Sequence, residues 1–194
     1  ETLKWLVDRM AYVKLNSLQL YVEHTFPFRE YGDIPERMGC LTPEELNLGA
    51  FDVQWFRSAY RDIGEADFDL VYEAAKYITD GAKHTRARKY ADAVLGKMDP
   101  EACKEAIAQK RNKDLLMAYA LIPLQNEEDL CDRYLYIQAF RKEAKAFGSQ
   151  RSVNESKAAD MALRNLATNG GYSDPMHLTL RMETKVIEDR RDLL

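Results

Sequence analysis

Cysteine is scarce in this chain: Cys40, Cys103 and Cys131 are the only three in 194 residues, widely separated and odd in number. That count argues against a disulfide framework and for a reducing compartment, which makes a cytoplasmic location the expectation. No two of the cysteines have metal-ligand spacing, so small buried or half-buried thiols are expected. His84 and His177 have no His or Cys neighbour at helical or turn spacing, so neither a metal site nor any other cofactor is expected. A phosphate-cradling Gly-rich motif is missing; Asn169-Gly170-Gly171 reads instead as a helix stop. No apolar run approaches the roughly 18–20 residues that span a bilayer, and no signal peptide is visible. Neither sign of charge dominates, with 28 Lys and Arg against 32 Asp and Glu and a net charge of −4. Bulk electrostatics therefore disfavours nucleic acid and anionic membrane as partners. The first residue is Glu1 rather than Met, which reads as an excerpt or processed form of a longer product.

What is present is ordinary globular material, 46% hydrophobic and 31% charged, enough for a sizeable core. The chain has the length of one domain, or of a domain with an appendage. A seam near residue 48 separates two kinds of pattern, giving a segment 1–48 and a domain 49–194. In the first, Leu3, Leu6, Val7, Met10 and Val13 share a helical face, and Leu18, Leu20 and Val22 then alternate like a strand. Pro27, Gly32, Pro35 and Gly39 mark a loop. Thr42-Pro43-Glu44-Glu45 is a capping box that opens a short helix before Gly49.

From Asp52 onward the signals are helical. Phe68, Val71, Tyr72, Ala75 and Ile78 form one stripe, and Ala87, Tyr90, Ala91, Val94, Leu95 and Met98 lie on another. Asp99-Pro100-Glu101 stops one helix and starts the next, through about Arg111, and Asp114 begins a short apolar helix closed by Pro123. The longest helix is expected from about Glu127 to Phe147. A second capping box, Ser152-Val153-Asn154-Glu155, starts a helix that ends at Asn169, and Ser173-Asp174-Pro175 opens the last one. Short connections imply antiparallel neighbours. The expected fold is mainly α: an irregular multi-helix bundle or helical-array fragment, with a short N-terminal helix-strand segment.

Two family resemblances follow. The run Val7 to Phe26, with Lys14-Leu15-Asn16 before the alternating strand, and Leu41-Thr42-Pro43-Glu44-Glu45 resemble an early barrel unit of family-20 glycoside hydrolases, the hexosaminidase type. That resemblance implies an eight-stranded barrel and substrate-assisted catalysis, in which an adjacent Asp-Glu pair orients the acetamido group and protonates the leaving oxygen. It would place Glu23 and His24 at a strand end, lining a carbohydrate cleft. The sequence has no Asp-Glu dipeptide, and a barrel typically needs about 250 residues.

Residues 50–190 resemble something else. Arg86-Ala87-Arg88-Lys89-Tyr90-Ala91-Asp92-Ala93, Arg111-Asn112-Lys113-Asp114, Arg133-Tyr134 and the run Phe140 to Arg151 carry the likeness, with Gly171-Tyr172-Ser173-Asp174-Pro175. It is similar to a bacterial domain of unknown function in large cytoplasmic proteins sometimes labelled molybdate-metabolism regulators. The resemblance implies a helical piece of a larger protein without an assigned reaction.

The densest basic cluster is Lys83 to Lys89. If Arg86, Arg88 and Lys89 share a surface they could meet nucleic-acid phosphates, although Asp80 and Asp92 flank them and a solvated helix start is the plainer reading. Arg141, Lys142, Lys145 and Arg151, interleaved with Glu143 and Glu155, read as salt-bridged helix surface. The leading expectation is a non-catalytic helical module that packs against neighbouring domains or protein partners. The alternative is a fragment of a family-20-type hydrolase without its catalytic pair.

Overall fold

The computed structural model describes residues 41, 43–77 and 81–191. The chain divides into two units, 1–43 and 44–194, and the fold described below is that of the second. The expected helix and strand of residues 2–22, and with them Glu23, His24 and Cys40, lie outside the described residues. Among the described residues every regular element is helical: α1 Pro43–Leu48, α2 Val53–Ile63, α3 Glu65–Ala74, α4 Gly81–Val94, α5 Pro100–Lys110, α6 Lys113–Tyr119, α7 Glu127–Glu143, α8 Ser149–Asn169 and α9 Pro175–Arg191. Single 3₁₀ turns, Ala75–Tyr77 and Ala144–Ala146, follow α3 and α7. The mainly α expectation holds, and among the described residues no helix is long and apolar enough to cross a membrane.

Several starts are where the sequence places them. The Asp99 carboxylate accepts from the Ala102 amide at 2.9 Å with Pro100 opening α5, and Asp174 accepts from the Met176 and His177 amides at 2.8 and 2.9 Å. Other expectations are corrected. The short helix α6 is capped by Asn112, whose side chain accepts from the Leu115 amide at 3.0 Å; Asp114 lies inside it and pairs with Arg86. The longest helix is α8, not α7, because the second capping box does not cap. The helix begins at Ser149, with the Ser152 amide bonded to the Gly148 carbonyl, so Ser152 already lies inside the first turn. Glu155 turns away to two arginines. Val71 leaves its stripe: it is 61% exposed while Phe68 is buried among Phe56, Tyr60 and Tyr72.

Helix α8 is the centre, packed against α2, α6, α7 and α9. Ala159, Ala162, Leu166 and Ala167 are fully or almost fully buried, and the small alanines let the neighbouring helices approach closely. From Leu116 to Ile122, the later part of α6 and the turn that follows it are buried throughout. Leu178 and Met182 anchor α9, each worth about 1.5–3 kcal/mol of burial.

Buried polar side chains join these elements. Asn165 donates to the Gly49 carbonyl at 3.0 Å and accepts from the Phe51 amide at 3.1 Å, tying α8 to the segment before α2. Asn169 donates to the Ala120 and Ile122 carbonyls at 3.0 and 2.8 Å. The buried Arg133 donates to the carbonyls of Tyr119, Ile122 and Pro123 and to both oxygens of Asp129, at 2.7 and 2.8 Å. Carbonyls left orphaned where α6 ends thereby find donors.

Candidate functional site: a cationic cleft

A cleft of about 490 Å³ opens between α1, α4, α6 and α8 beside the end of α5. Four cations line it, Arg86, Arg111, Lys113 and Lys157, against one carboxylate, Asp114. Two of the cations are committed. Arg86 on α4 donates through Nε to Asp114 Oδ1 at 3.0 Å and through Nη1 to the Asn47 carbonyl at 2.9 Å. This holds the C-terminal part of α1 against α4 and α6.

Arg111 is the other. It ends α5 in the left-handed conformation, φ 47°, its amide bonded to the Ile107 carbonyl. Holding a non-glycine residue there costs about 1–2 kcal/mol, which its side-chain contacts offset. The guanidinium lies 4.0 Å over the Phe140 ring, donates to the Phe140 carbonyl at 2.9 Å, and reaches Glu143 and Glu155 at 2.8 Å each. Arg151 closes the cluster on Glu155 at 2.8 Å. Burial works to raise the Glu155 carboxyl, but the hydrogen bonds and charges of Arg111 and Arg151 outweigh it and hold the group below its ordinary value. Salt-bridged surface was the expectation for these residues. Glu155 is in fact buried, and its first partner, Arg111, comes from outside the run.

Lys113 and Lys157 remain. Both are exposed, and neither has an ion-pair or hydrogen-bond partner among the described residues. With Arg86 balanced by Asp114, and Arg111 and Arg151 balanced by Glu143 and Glu155, the cleft keeps two uncompensated positive charges in a chain whose net charge is −4. The Asn154 amide also lines it.

A second, more apolar recess of about 290 Å³ shares Asn47 and Arg86 as walls. Ala50, Phe51, Ala87 and Tyr90 complete much of it. Tyr90 is 3% exposed, yet its hydroxyl has no hydrogen-bond partner among the described residues. Burial pushes its ionisation up, so it stays a neutral phenol. Gly49 makes room for it: at φ 106°, a Cβ on Gly49 would come within 2.7 Å of Met117 Sδ and 2.8 Å of Tyr90 Oη.

The residues singled out in the basic cluster separate. Positions 86 and 88 are about 200° apart around a helix. Arg86 enters the cleft, whereas Arg88 lies 4.2 Å over the Tyr72 ring and donates to Glu73 at 3.4 Å. Lys89 shares with Arg88 a different, shallower groove, along with His84 and Asp92. Sequence reading missed Lys113, Lys157 and Tyr90. The run Arg111-Asn112-Lys113 was a faint signal for the first; nothing local distinguishes Lys157 from any other exposed lysine. Among the described residues no group of three His, Cys, Asp or Glu side chains is placed to hold a metal ion.

Comparison with known proteins adds a family. No curated protein and no solved structure matches the chain. Residues 37–182 match the family described as Family of unknown function (DUF5724), a span that takes in the central helix, the cleft and the recess. With three quarters of its length inside that match, the chain belongs to the family of unknown function DUF5724.

Proposed function

We propose that the chain is a non-catalytic helical module of a larger cytoplasmic bacterial protein, and that it works by docking on a neighbouring domain or protein partner. The observation that carries this reading is the second apolar face of α9. Leu178 and Met182 face the core, while Met176, Leu180 and Ile187 stand 72%, 60% and 58% exposed. Spaced i, i+4, i+11, these three fall within about 40° of one another around the helix. A surface helix normally presents one apolar stripe, and a second one is a seam suited to another amphipathic helix. The buried polar side chains Arg133, Glu155, Asn165 and Asn169 support the same reading, since their hydrogen bonds hold helices together. The buried thiols Cys103 and Cys131 accord with a reducing compartment.

The proposal takes its setting, a larger bacterial protein, from the family resemblance, and no reaction. The hydrolase alternative draws on residues 1–48 alone, and its Glu23 and His24 lie outside the described residues.

A photo-activated cross-linking residue at position 180, in the protein in its native host, tests the docking. A discrete adduct to one protein segment is expected from position 180 and not from exposed Glu128 on α7. The double variant Met176→Glu, Ile187→Glu should abolish it while leaving the thermal midpoint of the unit unchanged. Equal labelling from both positions, or an adduct that survives the double variant, refutes the reading.

A further inference from the structure

We propose that the cleft and its adjoining recess form a binding site for a small phosphorylated organic molecule, independently of the docking face on α9. Lys113 and Lys157 supply two positive charges that no side chain neutralises, matching the charge of about −2 on a phosphate monoester near neutral pH. In the proposed complex a single tetrahedral anion bridges Lys113 on α6 and Lys157 on α8, which line the same cleft. Arg86, lining that cleft too, is held rigid by Asp114 and the Asn47 carbonyl, which stiffens the wall shared by cleft and recess. Preorganised cations of this kind lose little entropy on binding.

The recess specifies the rest of the ligand. Its walls are mainly apolar, and at about 290 Å³ beside a cleft of about 490 Å³ it adds room for a ring-sized group. Tyr90 and Phe51 give that wall an aromatic surface against which a ring-sized group would lie. Asp114, the carboxylate on the cleft wall, is already engaged by Arg86 and so repels an incoming anion less than a free one.

The long extended polyanion of a nucleic acid fits this arrangement less well. The other basic residues of α4, Arg88 and Lys89, line a different groove, so the cations do not form one track.

Titration of the chain with inorganic phosphate and with phenyl phosphate, followed by amide chemical shifts at constant ionic strength, tests the proposal. Saturable shifts are expected around Asn47, Lys113 and Lys157 with both probes, with phenyl phosphate binding more tightly. The double variant Lys113→Met, Lys157→Met should weaken both probes by roughly a hundredfold, about tenfold per charge-assisted contact, without moving the unliganded thermal midpoint. Ala87→Trp, on the exposed edge of the recess, should remove the advantage of phenyl phosphate and spare inorganic phosphate. Shifts that merely track ionic strength, or binding indifferent to the lysine pair, would overturn the site. So would binding confined to an oligonucleotide and lost on replacing Arg88 and Lys89.

Discussion

Glu155 shows how much one side chain can carry in this fold. Its carboxylate is buried and meets Arg111 and Arg151 at 2.8 Å each, joining the end of α5 to the first turns of α8. Because the folded protein holds its ionisation below the ordinary value of 4.5, the ionised form stabilises the fold. That contribution is full above pH 4.5 and is lost as the pH falls through the lowered value. Glu155→Gln should therefore lower stability by about 2 kcal/mol at neutral pH, since Arg111 keeps Glu143 while Arg151 loses its partner. Between the wild type and this variant the gap should narrow as the solution is acidified, measured by urea unfolding across pH. A gap that widens in acid would contradict the assigned direction.

Among the elements, helix starts were the most legible feature of the sequence, because a cap is a local interaction between a side chain and an amide three residues on. Asp99 and Asp174 were readable for that reason, and Asp99→Ala should cost about 1 kcal/mol, seen as a lower midpoint in thermal unfolding. An unchanged midpoint would mean that the Asp99 bond contributes nothing beyond solvation. The same local logic failed at Ser152-Val153-Asn154-Glu155. The spacing is that of a capping box, but Glu155 gains more from two charged arginines than from a backbone amide at the surface. Helix α8 therefore begins at Ser149, its N-terminal cap formed by the backbone of Gly148. Asp114 misled in a similar way: Asn112 caps α6 from two residues earlier, leaving Asp114 to pair with Arg86.

At the scale of the unit, the 21-residue helix α8 is packed against four other helices, so disturbing its core face disturbs all of them. Leu166 is fully buried there, and Leu166→Ala should cost about 3 kcal/mol. Helix content should then be lost in one transition at lower temperature by far-ultraviolet circular dichroism. A separate early phase would show that α8 does not unify the fold.

The mainly helical class and several helix starts were determined by the sequence itself, because apolar period and capping depend on residues a few positions apart. The central place of α8 and the burial of Glu155 were decided only by tertiary structure. They depend on distant partners: Gly49, 116 residues from Asn165 on α8, and Arg111, 44 residues from Glu155. The cleft belongs to the same class. Lys113 and Lys157 are ordinary surface lysines in the sequence, and become a pair only when α6 and α8 pack side by side.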